Sequence, residues 1–253
     1  MTLESNISVV IPTYNNLLLF KRAVTSVLKQ SVLPKEIIVT DDSTTNEIQH
    51  FCESIGQQIV RYSHNQPSLG AVNNWNNGIS QATGDWIILL HHDEELGNHD
   101  YLETISKLTK EHDLIISDIR VRTANGERKG RINGIMKYFF LHIASLNLCF
   151  NSIGPCACVM FKKEKTEYFD QKLTWLVDME WYYRLLLKSK KVFFSKDHII
   201  YSNHGHADQI TANIEIKDIE TKDIKWLYMK YDSSLSIKMA LTAKKIIRLI
   251  RSL

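Results

Sequence analysis

The 253-residue sequence predicts an α/β fold: a mixed, mostly parallel sheet with helices on both faces, followed by a C-terminal helical extension. Three observations predict it. Short β-branched apolar runs alternate with helical patterns through the first half of the chain. Those runs are almost wholly apolar, as strands covered on both faces are. A hydrophobic fraction of 44% and a charged fraction of 23% describe a globular chain and exclude a disordered or collagen-like one.

The elements follow in order. Residues 7–11 form an apolar run interrupted only by Ser8 and ended by Pro12. Residues 17–30 have helical spacing, with Leu18, Val24, Val27 and Leu28 able to share a face. A second strand covers 36–40, and Ser43 is placed to cap a helix over 44–54. A third strand covers 58–62. A helix over 70–81 is stopped near Gly84, and 86–90 is a fourth strand. A helix over 99–109 and a strand over 114–117 come next. The second half is less regular: a polar loop over 127–133, short strands at 159–161 and 192–194, and a helix over 179–187. Residues 213–253 are mostly helical in pattern. No repeat or linker divides the chain.

No run approaches the ~18–20 apolar residues that cross a bilayer. The N-terminus lacks the pattern of a secretory signal. Cys52, Cys149, Cys156 and Cys158 follow no zinc spacing and read as reduced thiols of a cytoplasmic protein. The net charge of +3 hides an asymmetry. Residues 1–100 carry 5 Lys+Arg against 11 Asp+Glu, a balance of −6, and residues 101–253 carry 26 against 17, a balance of +9.

In an open α/β sheet, ligands bind beyond the carboxyl ends of the strands. Three loops therefore come first: Pro12-Thr13-Tyr14-Asn15-Asn16, Asp41-Asp42-Ser43 and His91-His92-Asp93-Glu94-Glu95. They supply an aromatic ring, two acidic clusters and two imidazoles. The dinucleotide fingerprint and the phosphate-cradling lysine loop are both missing. A phosphorylated ligand would be repelled here unless a divalent cation intervened, and Asp93 and Glu94 are hard donors suited to Mn2+ or Mg2+.

These segments resemble the inverting family 2 glycosyltransferases of the GT-A fold. The resemblance runs through Ile7–Asn15, Val39–Thr44, Leu69-Gly70-Ala71 with Asn74, Gly78 and Gly84–Ile87, and Leu89–Leu96. It implies that Pro12, Thr13 and Tyr14 flank a nucleoside, and that Asp42 or Asp41 bonds its base or ribose. Asn74 approaches the ribose or diphosphate. His91 stands at the first position of the D-x-D-D metal motif, where the family has an aspartate that contacts ribose. Asp93 aligns with the metal carboxylate, and Glu94 is a further candidate ligand. The segment Leu173–Trp181 resembles the acidic start of the acceptor-side helix. It makes Asp178 the matching catalytic base, with Glu180 as competitor and Trp175 and Trp181 as rings for a sugar face. His204, or alternatively His206, matches a late-loop histidine that reaches the metal or diphosphate.

The resemblance further implies a nucleotide-sugar half over 1–100, an acceptor half over 101–212 and an appended segment over 213–253. The Q-x-x-R-W segment of processive synthases is absent, which favours transfer of one hexose at a time. The implied partners are a UDP-sugar donor and a lipid-linked oligosaccharide acceptor of a bacterial surface polysaccharide such as O-antigen of lipopolysaccharide. The alternative is an inactive nucleotide-binding subunit, supported by His91, Glu94 and the pair Val177-Asp178 where the family has an acidic doublet. Residues 233–253 hold five basic residues and no acidic ones. Met239 or Ala240, Ala243, Ile246, Ile247 and Ile250 fall on one stripe opposite Lys244, Lys245, Arg248 and Arg251. Such a helix over 234–253 suits an anionic membrane surface, or packing on the domain. No nucleic-acid motif accompanies it. A peripheral place on the inner face of the cytoplasmic membrane is expected, and a homodimer is admitted.

Overall fold

A computed structural model describes residues 4–130, 134–205 and 216–251. The first half alternates as expected: β1 Glu4–Thr13, α1 Leu17–Leu28, β2 Leu33–Asp41, α2 Glu47–Ile55, β3 Val60–His64, α3 Ala71–Gln81 and β4 Trp86–Leu89. Then come β5 Glu94–Leu96, α4 Tyr101–Ser106, β6 Leu114–Thr123, β7 Gly126–Lys129, α5 Gly134–His142 and β8 Val159–Lys162. The chain continues through α6 Val177–Lys188, β9 Val192–Asn203, α7 Ile216–Lys230 and α8 Leu235–Arg251.

Among the described residues, nine strands form one mixed sheet in the order β3-β2-β1-β4-β8-β6-β9-β5, with β7 pairing the second half of β6, past the end of its ladder with β8. The three longest ladders, β6–β9, β1–β2 and β2–β3, are parallel. After β1 the chain winds outward through β2 and β3, then returns to place β4 on the other flank of β1. That reversal opens a crevice beyond the ends of β1 and β4, the usual ligand position in such sheets.

The apolar runs explain the core. Val9, Val10, Ile11, Ile37, Ile38, Val39, Ile87 and Ile88 are all fully buried. Ser8 is tolerated among them because its hydroxyl donates to Glu36 Oε1 (2.6 Å) and accepts from the Gly84 amide (2.8 Å). Burial alone would raise the Glu36 pKa; its bonds from Ser8, Thr83 and Arg61 outweigh that and lower it to about 2. A side chain at Gly78 would collide with Val10, so glycine lets α3 lie directly on β1.

Several local expectations are corrected. The helix expected over 44–54 starts at Glu47, because the Ser43 hydroxyl is engaged as acceptor for the Asn15 amide (2.7 Å). Part of the supposed loop over 127–133 pairs with β6 as a hairpin, while 131–133 lie outside the described residues. The strand begun at 192 runs on to Asn203 because β6 and β5 both pair with its second half. All four cysteines are buried and free.

The C-terminal helices share the main core through Ile224, Leu227, Ile237, Ala240 and Leu241. The buried Asp223 carboxylate accepts the backbone amides of Thr174, Trp175 and Leu176, so α7 holds the entry to α6. The expected polarity of the last helix is partly inverted. Lys244 and Arg248 turn inward to Glu220 at 3.1 and 3.3 Å, and Ala240 is buried. Leu235, Met239, Ile246, Leu249 and Ile250 are exposed instead. An acidic residue on the neighbouring helix draws the cations in, and the outer stripe is left apolar. No helix among the described residues is long and apolar enough to cross a membrane.

Candidate active site

The crevice holds a cavity of about 600 Å³. Pro12, Thr13, Tyr14, Asp42, Asn74, His91, Asp93, Glu94, Asp178 and His204 all line it. They come from six separate segments, brought together at the β1/β4 reversal.

The first wall is set by Asn15. It adopts a left-handed conformation (φ 54°), tolerable for asparagine because its side chain can bond locally. Its amide donates to Ser43, and its Oδ1 accepts from the Thr44 amide (2.8 Å). The loops after β1 and β2 are thereby tied together, and Tyr14 projects with about half its surface exposed. Asp42 Oδ1 accepts from Asn65 Nδ2 (2.8 Å) and the Leu69 amide (3.1 Å), which fixes it at the cavity edge.

Two residues expected to touch the ligand serve the framework. Asp41 is fully buried; its carboxylate accepts from the Ser43 amide (2.8 Å) and the Tyr62 hydroxyl (2.8 Å), so it braces the acidic turn from below. Asn74 borders the cavity, but its Nδ2 donates to the carbonyls of Thr40 (3.0 Å) and Thr13 (3.4 Å), and its Oδ1 accepts from Asn65. It clamps the ends of β1 and β2.

The second wall is the motif after β4. Donor atoms of His91, Asp93 and Glu94 lie within 4.8 Å of one another. Glu94 Oε2 accepts the His91 amide (2.8 Å), and Glu94 Oε1 lies 3.6 Å from His91 Nδ1. The remaining ring nitrogen, His91 Nε2, is buried without a hydrogen-bond partner. Two carboxylates with an orphaned imidazole nitrogen fit a hard divalent cation such as Mn2+ or Mg2+. Burial disfavours a charged His91, yet Glu94, with smaller contributions from Asp93 and Asp178, raises its pKa to about 9. Burial raises the Glu94 carboxyl despite its histidine partner.

Pairing of β5 with β9 sets Glu94 opposite Ser202, and the Asp93 carbonyl accepts the Asn203 amide (2.9 Å). His204 therefore lines the same cavity, its Nε2 3.0 Å from Ser202 Oγ. It stands outside the group formed by His91, Asp93 and Glu94. His206 lies outside the described residues.

The third wall carries Asp178, in the first turn of α6. Burial pushes its carboxyl above the ordinary range; His91 and the Cys156 thiol, which donates to Oδ1 at 3.3 Å, partly offset this. A raised pKa makes the carboxylate a stronger base. Glu180 points elsewhere, since residues two apart face away from each other on a helix. It is fully buried and accepts from Arg184 Nε and Lys230 Nζ, both at 2.8 Å, and from the Tyr231 hydroxyl. It joins α6 to α7 and does not border the cavity.

Neither tryptophan singled out for the acceptor lines the cavity. Trp181 is fully buried, stacks on Phe169 (centroids 4.5 Å apart) and donates its indole N–H to the Glu167 carbonyl. It is core. Trp175 is half-buried against that core. The tryptophan that lines the cavity is Trp75, with its ring centroid 4.7 Å from that of His91. Helical spacing from Ala71 and Asn74 could have marked it, since positions i, i+3 and i+4 share a face. No sequence signal marked Cys156 as the partner of Asp178.

The electrostatics follow from this list. Asp42, Asp93, Glu94 and Asp178 border the cavity, and no lysine or arginine does among the described residues. A diphosphate would meet like charge here, which a bound cation would offset.

Comparison with known proteins agrees with the architecture. A Campylobacter jejuni protein named GalNAc(5)-diNAcBac-PP-undecaprenol beta-1,3-glucosyltransferase is 32% identical over 93 residues, 36% of this chain and 30% of its own. The chain thus spans under a third of that curated relative. Staphylococcus aureus TarS 1-349, solved in complex with UDP-GlcNAc, superposes with a TM-score of 0.67 at 18% identity, covering 85% of this chain and 64% of that one. The mannosyltransferase PcManGT from Pyrobaculum calidifontis, solved with GDP-Man and Mn2+, gives a TM-score of 0.65 at 14% identity over 96% of this chain and 70% of that one. These structural likenesses show the GT-A fold. The family described as "Glycosyl transferase family 2" matches residues 8–169, well over half of the chain. The protein belongs to glycosyl transferase family 2.

Proposed function

We propose that the protein is a metal-dependent, inverting, non-processive hexosyltransferase. It moves one hexose from a UDP-sugar to a hydroxyl of a lipid-linked oligosaccharide in synthesis of a bacterial surface polysaccharide of the O-antigen or capsule type. The observation that carries this reading is one cavity bordered by Asp42, the His91–Asp93–Glu94 group and Asp178, with no lysine or arginine among its described lining residues. The TarS complex with UDP-GlcNAc supports a UDP-sugar donor, and the C. jejuni relative's name supports a lipid-linked acceptor.

In this reading Pro12, Thr13, Tyr14 and Asp42 hold the nucleoside. Asp93, with His91 and Glu94, holds the cation, and His204 stands beside the diphosphate. A cation held by these residues would supply positive charge against the departing UDP. Asp178 takes the proton of the acceptor hydroxyl as that oxygen attacks the anomeric carbon. The bond from the anomeric carbon to the diphosphate breaks on the opposite face, inverting the centre. Trp75 offers the cavity a ring for a sugar face, where the sequence reading gave the acceptor rings as Trp175 and Trp181. The acceptor's lipid places the enzyme on the inner face of the cytoplasmic membrane, with 234–253 turned toward it.

A screen of UDP-sugars for slow hydrolysis tests the reading without an acceptor. UDP release is expected from one donor in the presence of Mn2+, and none after EDTA. UDP-sugar binding with neither hydrolysis nor transfer, across a broad acceptor panel, would favour the inactive nucleotide-binding subunit.

A further inference from the structure

Helix α5 is built in an unusual way for a surface element. Its inner face is pinned: Lys137 is almost fully buried, 3.7 Å from Asp118 and 4.5 Å above the Phe194 ring, and Phe140 and Leu141 are buried beside it. Its outer face therefore points firmly at solvent, and that face is apolar. Tyr138 and Phe139 are 59% and 60% exposed, and Met136 and Ile143 about half exposed. Scattered exposed apolar residues are ordinary, but four within eight positions form a patch.

The patch has a neighbour. The 3-10 turn Ala144–Leu148 that follows α5 also packs against α8, whose outward stripe is Met239, Ile246, Leu249 and Ile250. Two helices about a hundred positions apart in sequence thus leave apolar faces exposed around one turn. Gly130, the last described residue before α5, also shares a neighbour with one wall of the cavity. Side chains placed at Gly130 and at Gly154, next to the cavity residue Pro155, would both meet Ile119.

The geometry points to α5 as a membrane-docking element that, together with the outer stripe of α8, seats the enzyme on an anionic bilayer. This rests on the lipid-linked acceptor reading and names a second contact beyond 234–253. Charge selects the bilayer over a second copy of the chain. Neither 134–143 nor 235–251 contains an acidic residue, Lys245 is exposed on α8, and Arg128 and Lys129 are exposed in β7 against the single acid Glu127. Copies facing each other would oppose like charges, whereas an anionic leaflet attracts them. Tyrosine and phenylalanine suit the headgroup boundary, and an amphipathic helix lying in that plane buries its apolar face.

The test is cosedimentation of the full chain with vesicles of equimolar phosphatidylcholine and phosphatidylglycerol. Wild type is expected to bind them and to bind phosphatidylcholine vesicles weakly. The double variant Tyr138→Ser/Phe139→Ser is expected to bind about tenfold more weakly, with its melting temperature and UDP-sugar hydrolysis unchanged. Ile246→Ser/Leu249→Ser is expected to show a comparable loss. Undiminished vesicle binding by the α5 variant overturns the inference, as does a wild type that ignores anionic vesicles. A wild-type dimer that this variant converts to monomer would assign the face to a second copy and overturn it too. Failure here with hydrolysis intact leaves the transferase reading standing; absent hydrolysis with vesicle binding intact does the reverse.

Discussion

Asp178→Asn is expected to lower the transfer rate by roughly 10²–10⁴-fold, the usual contribution of a positioned general base, while leaving UDP-sugar affinity unchanged. Asparagine keeps the size of the side chain and still offers an oxygen to the Cys156 thiol, so the cavity wall stays in place. What is lost is the proton acceptor. Asp178 lines the cavity from α6, an element separate from the loops assigned to the nucleoside. Rates measured with a saturating acceptor, alongside titration of the donor, separate the two effects. Turnover near the wild-type level in this variant would remove Asp178 from the mechanism.

Glu180→Gln is expected to do the opposite. The fully buried Glu180 carboxylate sits among Arg184, Lys230 and the Tyr231 hydroxyl. Removing its charge weakens a buried network in which Arg184 keeps Glu167 and Lys230 keeps Asp170, a defect of about 3 kcal/mol, the low end for a broken buried pair. For a chain of this size that corresponds to a fall in melting temperature of roughly 10 °C. Below the new transition, activity should survive, because Glu180 does not border the cavity. Thermal unfolding and transfer rate, measured on the same preparations, distinguish a structural carboxylate from a catalytic one. A stable but inactive Glu180→Gln would reverse the roles given to the two acids.

The pair shows what a sequence can and cannot reveal. Strands were legible where an apolar run is also a buried run, as in residues 7–11 and 86–90. The loops beyond β1, β2 and β4 were legible as a group because a parallel sheet puts strand ends on one edge. Residue type says less about which side of an element a side chain takes. Asp41 and Asp42 are adjacent, and the turn sends one beneath the site and the other to its edge. Trp181 reads as a stacking ring, yet Phe169 and the Glu167 carbonyl enclose it. Trp75 was overlooked although it follows Asn74 on the same short helix. Long-range pairing hid other features. The second half of β9 forms because β5 and β6 flank it, and Glu220 draws Lys244 and Arg248 inward, leaving an apolar outer stripe. None of these partners is close in sequence, so local pattern could not supply them.

The central claim is that the acidic cavity accepts a uridine diphosphate through a cation held at Asp93, with His91 and Glu94. Calorimetric titration with UDP, in Mn2+ and then in EDTA, tests it most directly. Binding in Mn2+ is expected to weaken about a hundredfold in EDTA, equivalent to roughly 2.7 kcal/mol, and Asp93→Asn is expected to show the weak affinity in either buffer. UDP binding equally tight with and without the metal would contradict the account.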